Sequence, residues 1–443
     1  MSFPRYPEYK DSGVEWLGQV PAHWDAVTLK RISPQMTVGI VVNPSSFVAD
    51  FGLPYIYGGD IREGRIDLDE CRRISVEDSD KNAKTKLAAN DLLTVRVGAP
   101  GVTAVVPEAC TGGNCASVML IRSGEFDSRW LCYAMNDRVI RYQVEVVQYG
   151  AAQEQFNISH AVNFIVPRPS WDEQRGIADY LDHETAKIDA LVEEQQRLIE
   201  LLKEKRQAVI SQAVTKGLDP SVPMKDSGVE WLGKVPAHWS VASLGYRYSV
   251  QLGKMLDSAK VSGMHLRPYL RVFDVQWGHV NVEELPQMDF DEEDRSKFAL
   301  LPGDLLVNEG GSYPGRSAIW TGEIEECYYQ KALHRLRLLQ PALDSSNFFF
   351  YVMYWAANTG VFDAGGNEAT IQHLPAEKLR RYRMPFPPIA EQNAIAGFLR
   401  EATARIDELV ESAASAVDFL RERRSALISA AVTGKIDVRA LAA

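Results

Sequence analysis

The sequence lacks the features that would assign it to a membrane, to secretion or to a metal site. Its 443 residues include five cysteines, an odd number without paired spacing, which is typical of free thiols in a reducing compartment. No apolar run approaches the roughly 20 residues that a membrane-spanning helix needs, and residues 1–31 have no signal-peptide pattern. Cys110 and Cys115 are the one close pair, without clustered histidines, so no metal site is expected. We therefore expect a cytoplasmic chain with no membrane contact.

Motifs for catalysis are also missing. There is no GxxxxGK[ST] phosphate loop and no glycine-rich dinucleotide turn. NPSS at residues 43–46 begins like an amino-methyltransferase tetrapeptide but lacks the proline and the aromatic residue that would follow, so a turn is favoured. Asp91 and Asp304 precede apolar strands without a nearby Glu-x-Lys, which is typical of turn formers rather than nuclease carboxylates. We predict no catalytic residue: the chain binds rather than catalyses.

An excess of basic residues is absent as well. The chain has 48 Lys and Arg against 59 Asp and Glu, a net charge of −11. A nucleic-acid partner usually selects a basic face, so this charge weighs against one. It does not forbid a local basic stripe, and partner subunits can neutralise much of a phosphate backbone.

What the sequence does contain is a long internal repeat. KDSGVEWLGQVPAHW at residues 10–24 returns as KDSGVEWLGKVPAHW at residues 225–239, with Gln19 replaced by Lys234. The two copies lie roughly half the chain apart, far beyond a solenoid period of roughly 20 to 50 residues. The repeating unit is therefore a domain plus a connector. We call these two stretches the repeated motif.

A second pair of related stretches follows each domain. PRPSWDEQRGIADYLDHETAKIDALV at residues 167–192 aligns with PFPPIAEQNAIAGFLREATARIDELV at residues 385–410. The same alignment pairs LKEKRQAVISQAVT at residues 202–215 with LRERRSALISAAVT at residues 420–433. The order along the chain is a short motif, a variable segment and a long motif, and then all three again.

The two long motifs predict helices of unusual length. Apolar or neutral residues recur every seven positions, and proline clusters precede both motifs. The heptad residues are Leu181, Ile188, Gln195, Leu202 and Val209 in the first motif and Leu399, Ile406, Ala413, Leu420 and Leu427 in the second; Leu191, Leu198, Leu409 and Ala416 are expected between them. We expect the helices to pair within the chain. The alternative is that each lies singly on its own domain.

The variable segments, residues 28–166 and 242–384, predict mixed domains of helices and strands. LLTVRVGAPGVTAVV after Asp91 and DLLVNEGGSYPGRSAIW from Asp304 each predict a strand, a glycine-rich turn and a strand. The fold class is α+β. Residues 1–166 form a first domain with the repeated motif, residues 167–219 a central long helix, residues 220–384 a second domain, and residues 385–443 a C-terminal long helix.

Three interpretations of the repeated motif stay open. Two near-identical surfaces suit two identical partners, with Trp16, Trp24, Trp231 and Trp239 as docking candidates. They also suit identical roles in folding, or a recent duplication. For His23 and His238 a turn or packing role is favoured over a ligand role.

Two diverged domains with fixed spacing suit DNA recognition. Arg pairs with guanine, Asn or Gln with adenine, and Lys or Arg with phosphates. Candidate base contacts lie on the glycine-rich turns and on the loops that close each domain: Arg96, Gln153, Gln155 and Asn157 in the first, and Asn308, Ser312, Tyr313, Arg316, Asn367, Thr370 and Gln372 in the second. Candidate phosphate contacts are Arg72, Arg73, Lys81, Lys84 and Lys86.

The repeated motif and the two long motifs, each present twice in the same order, resemble the specificity subunits of type I restriction–modification systems. The likeness covers nearly the whole chain. It implies two target recognition domains held apart by an antiparallel coiled coil with a pseudo-twofold internal repeat. Each domain would read one half of a bipartite, asymmetric DNA site, and the helices would fix the length of the nonspecific spacer.

The resemblance also implies partners. Double-stranded DNA, two modification subunits that methylate adenine and restriction subunits that hydrolyse ATP and cleave DNA would assemble with this chain. S-adenosylmethionine, ATP and Mg²⁺ would be held by those partners, and this chain would hold no cofactor. Two alternatives remain: a coiled-coil scaffold with two protein-binding heads, and a nuclease in its own right, for which no carboxylate set is evident.

Overall fold

The chain divides into two compact units in the computed structural model. Residues 3–148, 156–255, 263–311, 313–362 and 373–441 are described. The first unit comprises Met1–Gln196 with Ser415–Ala443, and the second comprises Arg197–Ala414. The two longest helices each continue from one unit into the other, so both units contain part of each helix.

The first unit contains thirteen short strands among its described residues. They are β1 (Tyr9–Asp11), β2 (Gln19–Pro21), β3 (Asp25–Thr28), β4 (Met36–Val38), β5 (Leu53–Ile56), β6 (Ile61–Arg62), β7 (Arg65–Ile66), β8 (Arg72–Ile74), β9 (Leu92–Thr94), β10 (Thr103–Val105), β11 (Asn114–Cys115), β12 (Met119–Ile121) and β13 (Ile165–Arg168). The helices that begin in it are α1 (Leu29–Ile32), α2 (Val76–Lys81), α3 (Ser128–Asn136), α4 (Arg138–Gln148), α5 (Ile158–Ala161) and α6 (Trp171–Lys216).

The second unit has the same number of strands among the residues described. They are β14 (Met224–Asp226), β15 (Lys234–Pro236), β16 (Ser240–Ser243), β17 (Tyr248–Leu252), β18 (Leu266–Leu270), β19 (Val275–Gln276), β20 (His279–Val280), β21 (Gln287–Asp289), β22 (Leu305–Asn308), β23 (Ser317–Ile319), β24 (Tyr328–Tyr329), β25 (Leu333–Leu338) and β26 (Arg383–Phe386). Its helices are α7 (Glu292–Phe298), α8 (Ser346–Asn358), α9 (Ala376–Arg381) and α10 (Ile389–Val432).

The strands pair in the same order in both units. The larger sheet runs β10-β9-β12-β4 in the first unit and β23-β22-β25-β17 in the second. The smaller sheet runs β11-β5-β8 and β24-β18-β21, and in each the pair formed with the middle strand by β11 or β24 is parallel. The variable segments therefore share a topology that their sequences do not reveal. The predicted α+β class is confirmed.

A glycine permits a close backbone approach at the corresponding place in each unit, where the larger sheet meets the smaller one. A Cβ atom on Gly39 would lie 2.4 Å from the carbonyl oxygen of Cys115, and one on Gly253 would lie 2.3 Å from that of Gln330. Both glycines stand just after the first strand of the larger sheet. Any side chain there would force the sheets apart.

The two aspartates before the central strands are structural, as the sequence predicts. Asp91 accepts the backbone N–H of Ala88 at 3.0 Å and pairs with Arg122 at 2.7 Å. Asp304 accepts the N–H of Leu301 at 2.8 Å and pairs with Arg337 at 2.7 Å. Both carboxylates are buried, so each ion pair closes a turn against the neighbouring strand.

The long helices α6 and α10 pair in antiparallel fashion within each unit. In the first, Asp189 contacts Arg424 at 2.8 Å, while Glu173, earlier in α6, lies 3.7 Å from Arg439, beyond the end of α10. In the second, Arg206 contacts Asp407 at 3.0 Å, and Gly217 just after α6 lies beside Glu391 at the start of α10. The expected pairing within the chain is confirmed.

The heptad seam is confirmed, but its interleaved positions are not those expected. Leu181, Ile188, Leu202, Leu399 and Ile406 are buried. Of the residues expected between them, Leu191, Leu198 and Leu409 are 45%, 42% and 55% exposed. Thr185, Val192, Ile199, Thr403, Val410 and Val417 lie in the seam instead, buried or half-buried. The observed interleaved residues lie four residues after each heptad residue and three before the next. The expected ones lie three residues after each heptad residue.

Adjacent leucines test this assignment. Leu202 is 7% exposed and Leu201 is 52% exposed. We expect Leu202→Ala to lower the free energy of unfolding by about 2–3 kcal/mol, because it leaves a cavity in the seam. Leu201→Ala is the matched control and should change it by less than about 0.5 kcal/mol. Urea titration of the isolated chain measures both, and equal effects would contradict the seam.

Candidate nucleic-acid interface

The repeated motif places a buried tryptophan against the first turn of a long helix. Trp24 and Trp239 are 0% and 1% exposed. The indole N–H of Trp24 donates to Glu173 Oε1 at 3.4 Å, and that of Trp239 to Glu391 Oε1 at 3.0 Å. These two tryptophans were expected to dock a partner. That expectation is corrected, because a fully buried indole offers a partner no surface.

The other two tryptophans of the repeated motif are half-buried. Trp16 lies against Tyr142, with ring centroids 6.5 Å apart, and Trp231 lies against Trp355 at 5.7 Å. Each retains an accessible edge at the surface of its unit. Docking through Trp16 and Trp231 stays a prediction.

The histidines of the repeated motif bind the same glutamates as the tryptophans. His23 Nε2 lies 2.8 Å from Glu173 Oε1, and His238 Nε2 lies 2.7 Å from Glu391 Oε2. Each carboxylate is therefore shared by two side chains of one repeated motif. This arrangement agrees with the packing role favoured for both histidines.

Repeated polar residues in the same stretch also bond within it. Asp11 Oδ1 accepts the N–H of Gly13 at 2.8 Å, and Asp226 Oδ1 accepts that of Gly228 at the same distance. These bonds close the turn that follows strands β1 and β14. The recurrence of polar positions thus has an internal structural reason.

The environment of Glu173 favours its ionised form. Burial alone would raise its pKa, but hydrogen bonds from His23, Ser170 and Trp24 outweigh burial and hold the pKa below its usual range. The hydroxyl of Ser170 donates to Glu173 Oε2 at 2.9 Å. Arg439 adds a positive charge 3.7 Å away. The charged carboxylate therefore stabilises the folded state.

The glycine-rich turn and the closing loop meet in both units. Arg96, just beyond β9, donates from Nε to the carbonyl of Phe156 at 3.0 Å and from Nη2 to Asn157 Oδ1 at 2.9 Å. In the second unit the backbone N–H of Leu374 donates to the carbonyl of Glu309, just beyond β22, at 2.7 Å. Two segments predicted to read DNA are thus neighbours in each unit.

Three candidate base contacts of the second unit cluster around its glycine-rich turn. Arg316 lies over the exposed ring of Tyr313 at 3.9 Å and donates from Nη1 to Gln276 Oε1 at 2.6 Å. Asn308 is 3% exposed and donates to the carbonyl of Val272 at 3.2 Å. Burial favours a role for Asn308 in holding the turn, whereas Arg316 and Tyr313 reach the surface.

The candidate phosphate contacts differ in their surroundings. Arg72 is exposed and lies over the ring of Tyr57 at 4.2 Å. Lys81 is paired with Glu77 and Asp78 of its own helix, and Lys86 contacts Asp80. Arg73 is half-buried in β8, and Lys84 is exposed. Arg72 and Lys84 are therefore the exposed cations of this group that take part in none of these ion pairs, and the Tyr57 ring orients Arg72.

Six candidates lie outside the described residues: Gln153, Gln155, Ser312, Asn367, Thr370 and Gln372. Their roles stay predictions.

Within the described ranges, no cluster of three or more His, Cys, Asp or Glu side chains could hold a metal ion. All five cysteines are buried, and burial raises the pKa of Cys110 to about 11 and that of Cys115 to about 12. In the same ranges no helix combines the length and apolarity needed to cross a membrane.

Sequence reasoning missed Glu173, Gln174, Glu391 and Gln392, the Glu–Gln dipeptides at the start of the long helices. Gln174 and Gln392 are 2% and 1% exposed. The signal was available in two parts: EQ recurs in the aligned long motifs, and His recurs in the repeated motif. Joining them required the contact between segments about 150 residues apart in sequence.

The comparisons with known proteins point to one class, the specificity subunits of type I restriction enzymes. No family model matches the chain. The MjaX specificity subunit of Methanocaldococcus jannaschii is 21% identical over 442 residues, which cover 96% of this chain and 96% of that protein. The EcoKI specificity subunit of Escherichia coli K12 is 21% identical over 437 residues, covering 95% and 90%. The resemblance seen in the sequence is confirmed.

Solved structures share the fold. A chain from work on the assembly and conformational transition of the type I R-M system has a TM-score of 0.71 at 16% identity, over 93% of this chain and 98% of that one. The HsdS subunit from Thermoanaerobacter tengcongensis has a TM-score of 0.56 at 15% identity, over 94% and 98%.

Substitution of Glu173 tests the charged site at the helix start. We expect Glu173→Gln to lower the free energy of unfolding at pH 7 by about 1–3 kcal/mol, because three donors lose their charged acceptor. The depressed pKa of Glu173 contributes stability above the usual glutamate pKa of about 4.3. That contribution is lost as pH falls through the lower folded value.

The difference in free energy of unfolding between the parent and Glu173→Gln should therefore become smaller as the pH falls from about 5 to about 3. Denaturant unfolding over that range measures it, with the exposed Glu15→Gln of the repeated motif as control. A difference that stays constant down to pH 3 would refute the ionised carboxylate.

Proposed function

We propose that this chain is the DNA-reading subunit of a type I restriction–modification complex. Each unit reads one half of a bipartite, asymmetric site. The MjaX and EcoKI proteins, which align with this chain over nearly their whole length, are named specificity subunits, and this supports the proposal. It acts in the cytoplasm and holds no catalytic residue or cofactor of its own.

The observation that carries this proposal is a shared scaffold with unlike polar groups. Both units have the same strand order, and both bring a glycine-rich turn against the end of a closing loop. At that junction the first unit presents Arg96 and Asn157, whereas the glycine-rich turn of the second presents the Arg316–Tyr313 pair. One scaffold with two sets of donors and acceptors suits two unlike half-sites.

The arginines at these junctions are held in fixed orientations. Arg96 is oriented by a carbonyl and an amide oxygen, and Arg316 by the ring of Tyr313 and by Gln276. A guanidinium that is already oriented loses less entropy when it binds a guanine edge or a phosphate. Both arginines keep donors that can turn to the ligand.

The repeated elements suit two identical partners. Two modification subunits, which carry S-adenosylmethionine, dock on equivalent surfaces that include Trp16 and Trp231. Restriction subunits, which use ATP and Mg²⁺, complete the complex. Partner subunits also supply positive charge that this chain, at −11, does not.

That negative charge is the observation that favours a second candidate, a coiled-coil scaffold whose two heads bind proteins. The candidates differ in their response to salt, because every phosphate contact releases counterions. With the modification subunit present, we expect DNA affinity to fall at least about 10³-fold between 50 and 200 mM salt. Filter binding measures this. A fall below about tenfold would favour the scaffold.

One arginine variant and one lysine variant test the phosphate contacts in the same salt titration. Arg72→Gln should reduce the slope of log affinity against log salt by about one, as the loss of one phosphate contact does. Lys81→Gln is the matched control and should leave the slope unchanged, because Lys81 already pairs with Glu77 and Asp78. Equal effects of both would remove Arg72 from the interface.

A further inference from the structure

The Glu–Gln dipeptide at the start of each long helix lies where three parts of one unit meet. Glu173 and Glu391 bind the repeated motif through its histidine and its buried tryptophan. The glutamine that follows each of them binds the globular domain. We call each dipeptide, with the groups it contacts, a helix joint.

The two glutamines make the same contacts in both units. Gln174 Oε1 accepts the backbone N–H of Asp127, which caps α3, at 3.0 Å, and its Nε2 donates to the carbonyl of Pro169 at 3.0 Å. Gln392 Oε1 accepts the N–H of Ser345, the N-cap residue of α8, at 2.9 Å. Its Nε2 donates to the carbonyl of Pro387 at 2.8 Å.

Ion pairs reinforce these contacts. Beside Gln174, Arg129 of α3 pairs with Asp179 and Asp182 of α6, each at 2.8 Å. Beside Gln392, Asp344 is buried and pairs with Arg247 through two bonds of 2.7 Å. The ion pairs of Arg129 are solvent-exposed, and the Arg247–Asp344 pair lies within the globular domain. The contact between each domain helix and its long helix therefore depends mainly on the hydrogen bonds of Gln174 and Gln392, whose side chains are buried.

We propose that the two helix joints are positioning elements that set the spacer selectivity of DNA recognition. The proposal rests on the proposed function. The bases of a half-site are read within one domain, but the gap between half-sites depends on how rigidly each domain is seated on the helices. One base pair more or less moves a half-site by about 3.4 Å and about a tenth of a turn. A loosened joint accommodates that change.

The test uses cells that carry the chain with its modification partner, and it reads the positions of methylated adenines across the genome. In Gln392→Met the side-chain volume is kept and the hydrogen bonds are lost. We expect sites with a spacer one base pair shorter or longer to rise at least about tenfold as a share of methylated sites, as the loss of buried hydrogen bonds allows. The bases of both half-sites should not change.

Leu300→Ala is the matched control, since Leu300 is buried in the second unit within a different cluster from the joint. It should retain a single spacer at comparable loss of stability. His238→Ala is the milder joint variant, because it removes one bond to Glu391 from a half-exposed side chain. It should broaden the spacer in the same direction, and to a smaller extent.

The possible outcomes distinguish a failure of this inference from a failure of the proposed DNA-reading function. If the parent methylates a bipartite site and neither joint variant broadens the spacer, the inference is wrong and the function stands. Altered half-site bases in Gln392→Met would also overturn the inference. If the parent methylates no bipartite site, the proposed function fails.

Discussion

The carboxylates of Glu173 and Glu391 are the groups around which each unit is organised. Each lies in the first turn of a long helix and accepts hydrogen bonds from a histidine and a buried tryptophan of the repeated motif. A carboxylate removed from water is costly unless donors surround it, and the loss of one donor leaves that cost uncompensated. The histidine and the tryptophan share one acceptor in each unit, which gives a structural reason for polar and apolar positions to recur side by side in the repeated motif.

The need for specific side chains around these carboxylates explains which residues recur in both halves and which differ. The helix joints and the turn of the repeated motif use specific side chains, so their residues recur in both halves. The sheets between them need only apolar strands, a buried ion pair before the central strand and a glycine at the close approach. Many sequences meet those requirements. The surface turns are thus free to differ, and DNA specificity is proposed to lie there.

The long helices were predictable because a seven-residue period sustained from Leu181 to Val209, and again from Leu399 to Leu427, is characteristic of a coiled-coil helix. The interleaved seam positions were not predictable from the sequence. Leu191 and Val192 are both apolar, and only the geometry of the partner helix selects Val192. The shared strand order stayed hidden because short, buried strands tolerate almost any apolar residue. The helix joints were missed for another reason: hydrogen bonds between His23 and Glu173 leave no periodic pattern. Burial of Trp24 and Trp239 likewise follows from a tertiary contact.

We propose that one repeated frame carries two DNA-reading domains that vary independently. Replacing residues 28–166 with the corresponding segment of another specificity subunit, and mapping the methylated adenines, tests it most directly. We expect one half-site to change while the other half-site and the spacer are retained. A change in both half-sites would contradict it.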